Sequence, residues 1–349
     1  MHTFTNIKAS HVVQNLKSRI IACTVIFSLL VCSSFYTSLL FAELLPSKVI
    51  GISQIVEHPA LDTVREGILD SLKAQGFEQG KNLTVLYENA QGSVITATQI
   101  ASKLLQSHLD LVVGISTPSA QTLFYEALKL KDKIPIVFSA VSDPKAAKLE
   151  IDPEYPITGI TDRAHLVGLL ELMQNMMPHL RTLGLMYNPA EANSVSTIWH
   201  LKELLKAKGI RFVEVTVNKT QDVAQATKSL LGKVEALYLP QDNTVVSAIQ
   251  AVINATTQSA SPLPVVLPIF TSDPLLIKNG VLAAVGYDYW DVGKETGVVV
   301  GQILKGEKAQ QIAIHNPKEL KAVINVALAE KLGFPIPQKL EYATVQLVK

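Results

Sequence analysis

Cysteine is almost missing from this chain: of 349 residues only Cys23 and Cys32 are cysteine, and both fall inside one apolar stretch near the start. Everything after Ala42 is free of it, which excludes a disulfide framework, a thiol nucleophile and a thiolate metal site from the body of the protein. Charge is sparse, at 17% of residues against 48% hydrophobic, so there is apolar surface for a large core and no case for disorder. Lys8, Lys17 and Arg19 are the only charged residues in the first 42 positions, and setting them aside leaves 28 basic against 30 acidic residues. That near balance gives no electrostatic footprint for nucleic acid. Catalytic signatures are lacking too: no Gly-x-Ser-x-Gly, His-Glu-x-x-His, Walker loop or Gly-x-Gly-x-x-Gly occurs. His58, His108, His165, His179, His200 and His315 are scattered without metal-ligand spacing and read as surface or local structure. The expectation is a binding protein, not an enzyme, with no cofactor and no metal.

What is present begins with a leader. Ile20 to Ala42 carries no charge, follows a basic segment and ends in Leu40-Phe41-Ala42, the order of a secretory signal cleaved after Ala42. Its 23 residues also suffice for an uncleaved anchor. Residues 1–42 are thus read as signal peptide or anchor, and both readings place the body in the periplasm or another extracytoplasmic space. Neither cysteine ends the apolar run behind a small residue, so a lipid anchor is not expected.

From Lys48 onward short β-branched runs alternate with amphipathic helical stretches, the pattern of a parallel sheet covered on both faces. Strands are expected at Val49–Ser53, Leu83–Tyr87, Asp110–Ser116 and Ile134–Val141, and again at Leu183–Tyr187, Ile210–Val217, Ala236–Leu239 and Val265–Phe270. Leu61, Val64, Ile68 and Leu72 mark one helix face, and Val195, Ile198, Leu201 and Leu205 mark its counterpart. Two sets of four imply two similar doubly wound α/β lobes with parallel sheets, a cleft between their carboxyl strand ends, and an interlobe hinge. The lobes are expected at 48–159 plus 285–312 and at 160–284 plus 313–349. Ala283 to Asp288 reads as a strand leading into a helix from Asp291 to Leu304, whose Gly293, Gly297 and Gly301 recur every fourth position and imply close helix packing. Leu320 to Leu332 supplies a further strand and helix.

Polar residues gather at the strand ends. Thr117-Pro118-Ser119 offers a helix start whose free N–H groups suit a carboxylate, or an ordinary N-cap. Asp242-Asn243-Thr244 is its counterpart, and Asp242 or Glu191 could face an ammonium or serve only as a helix cap. Asp143 and Asp273 occupy matching places, each in a Ser-Asp-Pro turn after a fourth strand. Phe124, Tyr125, Tyr187, Tyr287, Tyr289 and Trp290 lie near element ends, where a ring could stack on a flat ligand or pack in the core.

In Val56-Glu57-His58-Pro59-Ala60-Leu61-Asp62, Glu78 to Leu83, Asn89-Ala90-Gln91-Gly92, Pro135 to Pro144, Tyr187 to Ser194 and Leu239 to Thr244, the chain resembles the ABC transporter substrate-binding proteins that include tryptophan- and tyrosine-binding members. The resemblance covers about Lys48 to Pro337. It implies a type I periplasmic-binding architecture, capture of a small molecule such as an aromatic amino acid between the lobes, and partners in a membrane permease and its ATPase. Carried over residue by residue, it implies ligand contacts around Glu57, Thr117, Pro118, Ser119, Asp143, Glu191, Ser194, Asp242, Asn243 and Asp273. The chain departs from the family pattern in lacking a well-formed lipobox cysteine and in having Pro274 where a carboxylate is common. A membrane-anchored ligand sensor on the same fold is the alternative function. A repressor would need a basic DNA-binding head where this chain has the apolar leader.

Overall fold

The computed structural model describes residues 47–150, 152–257 and 266–349. The leader, with Cys23 and Cys32, lies outside them. In chain order the elements are β1 (Lys48–Gln54), α1 (Pro59–Ala74), β2 (Leu83–Asn89), α2 (Val94–Leu105), β3 (Leu111–Ile115), α3 (Thr117–Ala127), β4 (Ile136–Ser139) and β5 (Ile157–Ile160). Then follow α4 (Leu166–Met176), β6 (Thr182–Tyr187), α5 (Ala192–Ala207), β7 (Arg211–Thr216), α6 (Val223–Leu230), β8 (Ala236–Leu239), α7 (Asn243–Ser247) and α8 (Ile249–Thr257). The chain ends in β9 (Ile269–Thr271), β10 (Ala283–Tyr287), α9 (Tyr289–Leu304), β11 (Leu320–Asn325), α10 (Val326–Leu332) and β12 (Thr344–Val348).

Two sheets result. The first is five-stranded in the order β2-β1-β3-β4-β5 and parallel throughout. The second is seven-stranded, β12-β11-β10-β9-β8-β6-β7, and its single antiparallel pairing joins β10 to β11. The expected two sets of four strands are corrected in three ways. β5 joins the first sheet, β10 to β12 extend the second, and β11 with β12 run against the rest. The reason is that the chain leaves the second sheet after β10, adds α9 to the first lobe, and re-enters beside β10 from the opposite direction. β10 pairs with β11 along its whole length and with β9 at Ala283 and Ala284, so all of Ala283–Tyr287 belongs to the second sheet. Where the three crossings meet, Thr158 Oγ1 donates to the Ile312 carbonyl at 2.8 Å and Thr161 N to the His315 carbonyl at 2.9 Å.

Inner strands bury both faces: β3, β4, β8, β9 and β10 are buried at every position, as a sheet covered on both sides requires. α1 buries Leu61, Val64, Ile68 and Leu72 as its spacing predicts. In α5, Val195 is exposed, and Ser194 and Thr197 join Ile198, Leu201 and Leu205 on the buried face. Apolar spacing alone had placed that face a residue off.

The glycines of α9 press it onto α1. A Cβ at Gly293 would stand 2.3 Å from the Val64 carbonyl oxygen, one at Gly297 2.6 Å from that of Ile68, and one at Gly67 2.7 Å from that of Trp290. Real Cβ atoms do not approach backbone so closely, so only glycine permits this contact. α9 starts at Tyr289, two residues before the expected Asp291, because Asp288 accepts the Trp290 N–H and caps it.

Candidate functional site

The loops that follow β1, β3 and β4 in the first lobe meet those that follow β6, β8 and β9 in the second. They line a cavity of about 20 Å³, with His58, Leu61, Ser116, Ala140 and Ser142 on one side and Asn193, Gln241, Asp242, Asn243, Val246 and Asp273 on the other. Asp162 and Tyr289, from two of the chain crossings, complete it.

Three buried carboxylates border this space. Asp242 caps α7 by accepting the Val245 N–H at 2.9 Å and also takes the Asn188 N–H at 2.6 Å. Burial first, then the charge of Glu191, pushes its carboxyl up to about 7. Asp273 accepts the Leu275 N–H at 2.9 Å, and burial, with the charge of Asp162, pushes it up to about 7 as well. Asp162 accepts from Ser142 Oγ at 2.8 Å and Tyr289 Oη at 3.2 Å, and burial raises it against those bonds. No lysine or arginine lines the cavity. Three acids without a cation are the costly arrangement that a buried site normally avoids.

Three of the residues lining this space carry a buried polar atom without a partner among the described residues: Asn193 Oδ1, Gln241 Oε1 and His58 Nδ1. Asn193 is only 3% exposed. Burial drives the His58 imidazole down to about 4, despite the nearby Asp62 carboxylate, so it is neutral at physiological pH. The two amide oxygens lack a donor and the three carboxylates lack a counter-charge, and one cationic donor would supply both. Ser116 at φ 77° and Ala140 at φ 53° hold the left-handed region beside the cavity. Such strain in non-glycine residues persists where surrounding structure imposes it, and it gathers at binding sites.

A larger groove of about 540 Å³ opens next to the cavity, and Asn243 stands in the wall of both. Its first-lobe wall includes Ile55, Val56, Val94, Pro118 and Tyr125, and its second-lobe wall includes Asn188, Lys219, Thr220 and Thr244. A third space, about 270 Å³, lies between Asp143, Arg163, His165, Ser196 and His200.

The residues anticipated from sequence distribute unevenly over these spaces. Asp242, Asn243 and Asp273 line the cavity. Ser194 is buried beside Asp242 and favours its ionised form. Pro118 lines the groove, while Thr117 and Ser119 are buried with hydroxyls that find no partner and line none of these spaces. Ser116, not Thr117, is the residue before the first turn of α3, since Pro118 fits that turn with Thr117 already helical. Glu191 borders the groove, but its carboxylate is occupied: it accepts from Asn243 N at 2.9 Å, Asn243 Nδ2 at 2.6 Å, Thr244 N at 3.0 Å and Thr244 Oγ1 at 2.9 Å. It serves the N-terminus of α7 and leaves no lone pair for an ammonium. Asp143 lies in the third space, where Ser196 Oγ donates to it across the lobes at 2.6 Å. Glu57 is exposed and lines none of the three; the neighbouring His58 takes the place facing the cavity. Asp162, Ser116, Ser142, Asn193 and Gln241 were not among the anticipated contacts, and Tyr289, read as a ring that could stack on a ligand or pack in the core, lines the cavity. Asn193, Gln241 and His58 do lie within the stretches that carry the family resemblance. Asp162 follows a four-residue strand with no periodic signal.

Bonds that join the lobes surround the cavity. Ser116 Oγ donates to Asn243 Oδ1 at 3.1 Å, and Ser142 Oγ and Tyr289 Oη donate to the Asp162 carboxylate at 2.8 and 3.2 Å. Among the described residues no group of three or more His, Cys, Asp and Glu side chains is placed to hold a metal ion, and no helix is long and apolar enough to cross a membrane.

Residues 49–348 match the family model described as ABC transporter substrate binding protein. A tyrosine-binding protein of Clostridioides difficile (strain R20291) is 33% identical over 305 residues, 86% of this chain and 85% of that protein. The crystal structure of a conserved domain protein from Vibrio cholerae superposes with TM-score 0.78 at 38% identity, covering 86% of this chain and 99% of that one. The structure of an ABC domain in complex with L-Trp from Streptococcus pneumoniae gives TM-score 0.78 at 29% identity, over 86% of this chain and all of the other.

Proposed function

This chain belongs to the ABC transporter substrate-binding protein family, and from that premise we propose that it captures an aromatic amino acid, tyrosine or tryptophan, outside the cytoplasm and hands it to a membrane permease driven by an ATPase. The observation that carries the ligand class is the lining of the small cavity: three buried carboxylates and unpaired Asn193, Gln241 and His58 atoms, with no cation among them. The names of the Clostridioides and Streptococcus relatives support the aromatic part.

In this reading the ammonium of the ligand occupies the cavity between Asp162, Asp242 and Asp273. Its carboxylate lies in the groove beside Pro118, toward the N-terminus of α3, where the helix dipole favours an anion. The ring lies in the groove against Pro118 and Tyr125. The first lobe comprises 48–160 with 288–312, the second 161–287 with 313–349, and the crossings between them act as the hinge. Ligand contacts come from both lobes, so they form together only on closure and shift an open-closed equilibrium. Binding proceeds without turnover.

The test is a calorimetric titration of protein stripped of carried-over ligand by unfolding and refolding, against the common amino acids, with scattering before and after saturation. Tyrosine or tryptophan should bind and reduce the radius of gyration. Silence from every amino acid, or an unchanged radius at saturation, would refute the proposal.

A further inference from the structure

We infer that the site also takes short peptides with a free N-terminus and an aromatic first residue, the terminal amine in the acid-lined cavity and the terminal carboxylate at Lys219 on the far wall of the groove. The inference rests on the amine-head reading above and extends it to a second ligand class.

Size comes first. A cavity of about 20 Å³ holds roughly one water-sized group, which an ammonium is and an amino acid is not. The groove of about 540 Å³ lies within the roughly 300–1,000 Å³ range of small-molecule sites, and it shares Asn243 with the cavity. A ligand with its ammonium in the one must place the rest of itself in the other. Replacing the Ser116–Asn243 bond, which closes the lobes over that boundary at 3.1 Å, lets a chain pass between them.

Charge comes second. A free amino acid carries its carboxylate two bonds from its nitrogen and so brings it close to Asp162, Asp242 and Asp273. A dipeptide puts a neutral amide there, whose carbonyl suits the first turn of α3, and moves the carboxylate further along the groove. Lys219 is the one lysine or arginine that lines the groove, and it makes no ion pair with any described residue. The apolar wall of Val56, Val94, Pro118 and Tyr125 receives the aromatic side chain. The unpartnered Asn193 Oδ1 in the cavity accepts from the amine, so the acids are not the sole sign of a ligand.

The experiment titrates the stripped full chain with tyrosine, tyrosyl-glycine, tyrosyl-glycine amide and N-acetyl-tyrosyl-glycine, for wild type and Lys219→Ala. Tyrosyl-glycine should bind, its acetylated form should not, and the C-terminal amide should bind about fivefold more weakly in wild type, the range of an exposed ion pair. In Lys219→Ala the acid and the amide should bind alike, which confines the effect to the carboxylate–Lys219 pair. Tyrosine binding without tyrosyl-glycine overturns the peptide inference and leaves the amino-acid proposal standing. An acid-to-amide ratio that survives Lys219→Ala overturns the placement of the carboxylate. No binding by any free amine overturns both readings together.

Discussion

Replacing Asp273 by asparagine should stabilise the ligand-free protein, and by an amount that depends on pH. Asp273 is 2% exposed, faces Asp162 and has no cation beside it, and its carboxyl is raised from 3.8 to about 7. At about 1.4 kcal/mol per tenfold change in the ionisation constant, the ionised form costs the folded state roughly 4 kcal/mol. The sign follows from proton uptake. Between about pH 4 and 7 the folded protein keeps this proton while the unfolded chain has lost it, so the Asp273 contribution to stability falls as pH rises and levels off above about 7. Asparagine has no proton to lose and its carbonyl still accepts the Leu275 N–H. The melting temperature of Asp273→Asn minus that of wild type should therefore be small near pH 4, grow to about pH 7, and reach about 4–8 °C beyond it for a domain of this size. Asp162, Asp242 and His58 titrate in both proteins and largely cancel in the difference. Scanning calorimetry on stripped protein at pH 4.5, 6 and 8 reads it directly. A difference that is the same at all three, or a variant less stable at pH 8, would refute the reasoning.

Ligand affinity should run the other way: an ammonium needs Asp242 and Asp273 ionised, so titrations should show binding weakening below about pH 7, by up to roughly tenfold per pH unit for each carboxyl that must ionise. Glu191→Ala should lower stability by about 2–4 kcal/mol in urea without any ligand present, because four donors on Asn243 and Thr244 lose their acceptor; a stable variant would mean that α7 does not depend on it. Ser196→Ala removes the 2.6 Å bond to Asp143 across the lobes and should weaken ligand binding about fivefold, with scattering showing a wider ligand-free ensemble; unchanged affinity would place that bond outside closure. Gly297→Ala should cost about 1–3 kcal/mol by denaturant melting, since its Cβ would meet Ile68 and Ser71, and an unaffected midpoint would contradict the packing described for α1 and α9.

How legible this was in the sequence varied with the range of the interaction. Strands such as Val49–Ser53 and Ala236–Leu239 show because their apolar runs are bounded by turns, and α1 shows because a 3.6-residue face is written in four consecutive turns. β5 did not: Ile157-Thr158-Gly159-Ile160 is too short for a period, and only pairing with β4 makes it a strand. β12 is an edge strand with largely solvated side chains, so it carries little apolar pattern. At the site, Asp242 and Asp273 were legible as caps at strand ends and Asn243 as the residue that follows one, which is a local signal. Whether a cap is free for a ligand is a non-local question, and it separates Glu191, saturated by α7, from Asp242, which faces the cavity. Asp162 is placed by three chain crossings meeting, and nothing within its own neighbourhood announces that.

The glycine contact between α1 and α9 bears on movement as much as on packing. His58 immediately precedes α1 and Tyr289 is the first residue of α9, and both line the cavity. Two helices fused along backbone cannot slide past each other, so these two walls travel as one piece although 230 residues separate them in the chain. Whatever tugs on Tyr289 through Asp162 tilts His58 by the same angle. Bending between the lobes is thereby left to the three crossings, and any such motion carries His58 and Tyr289 together.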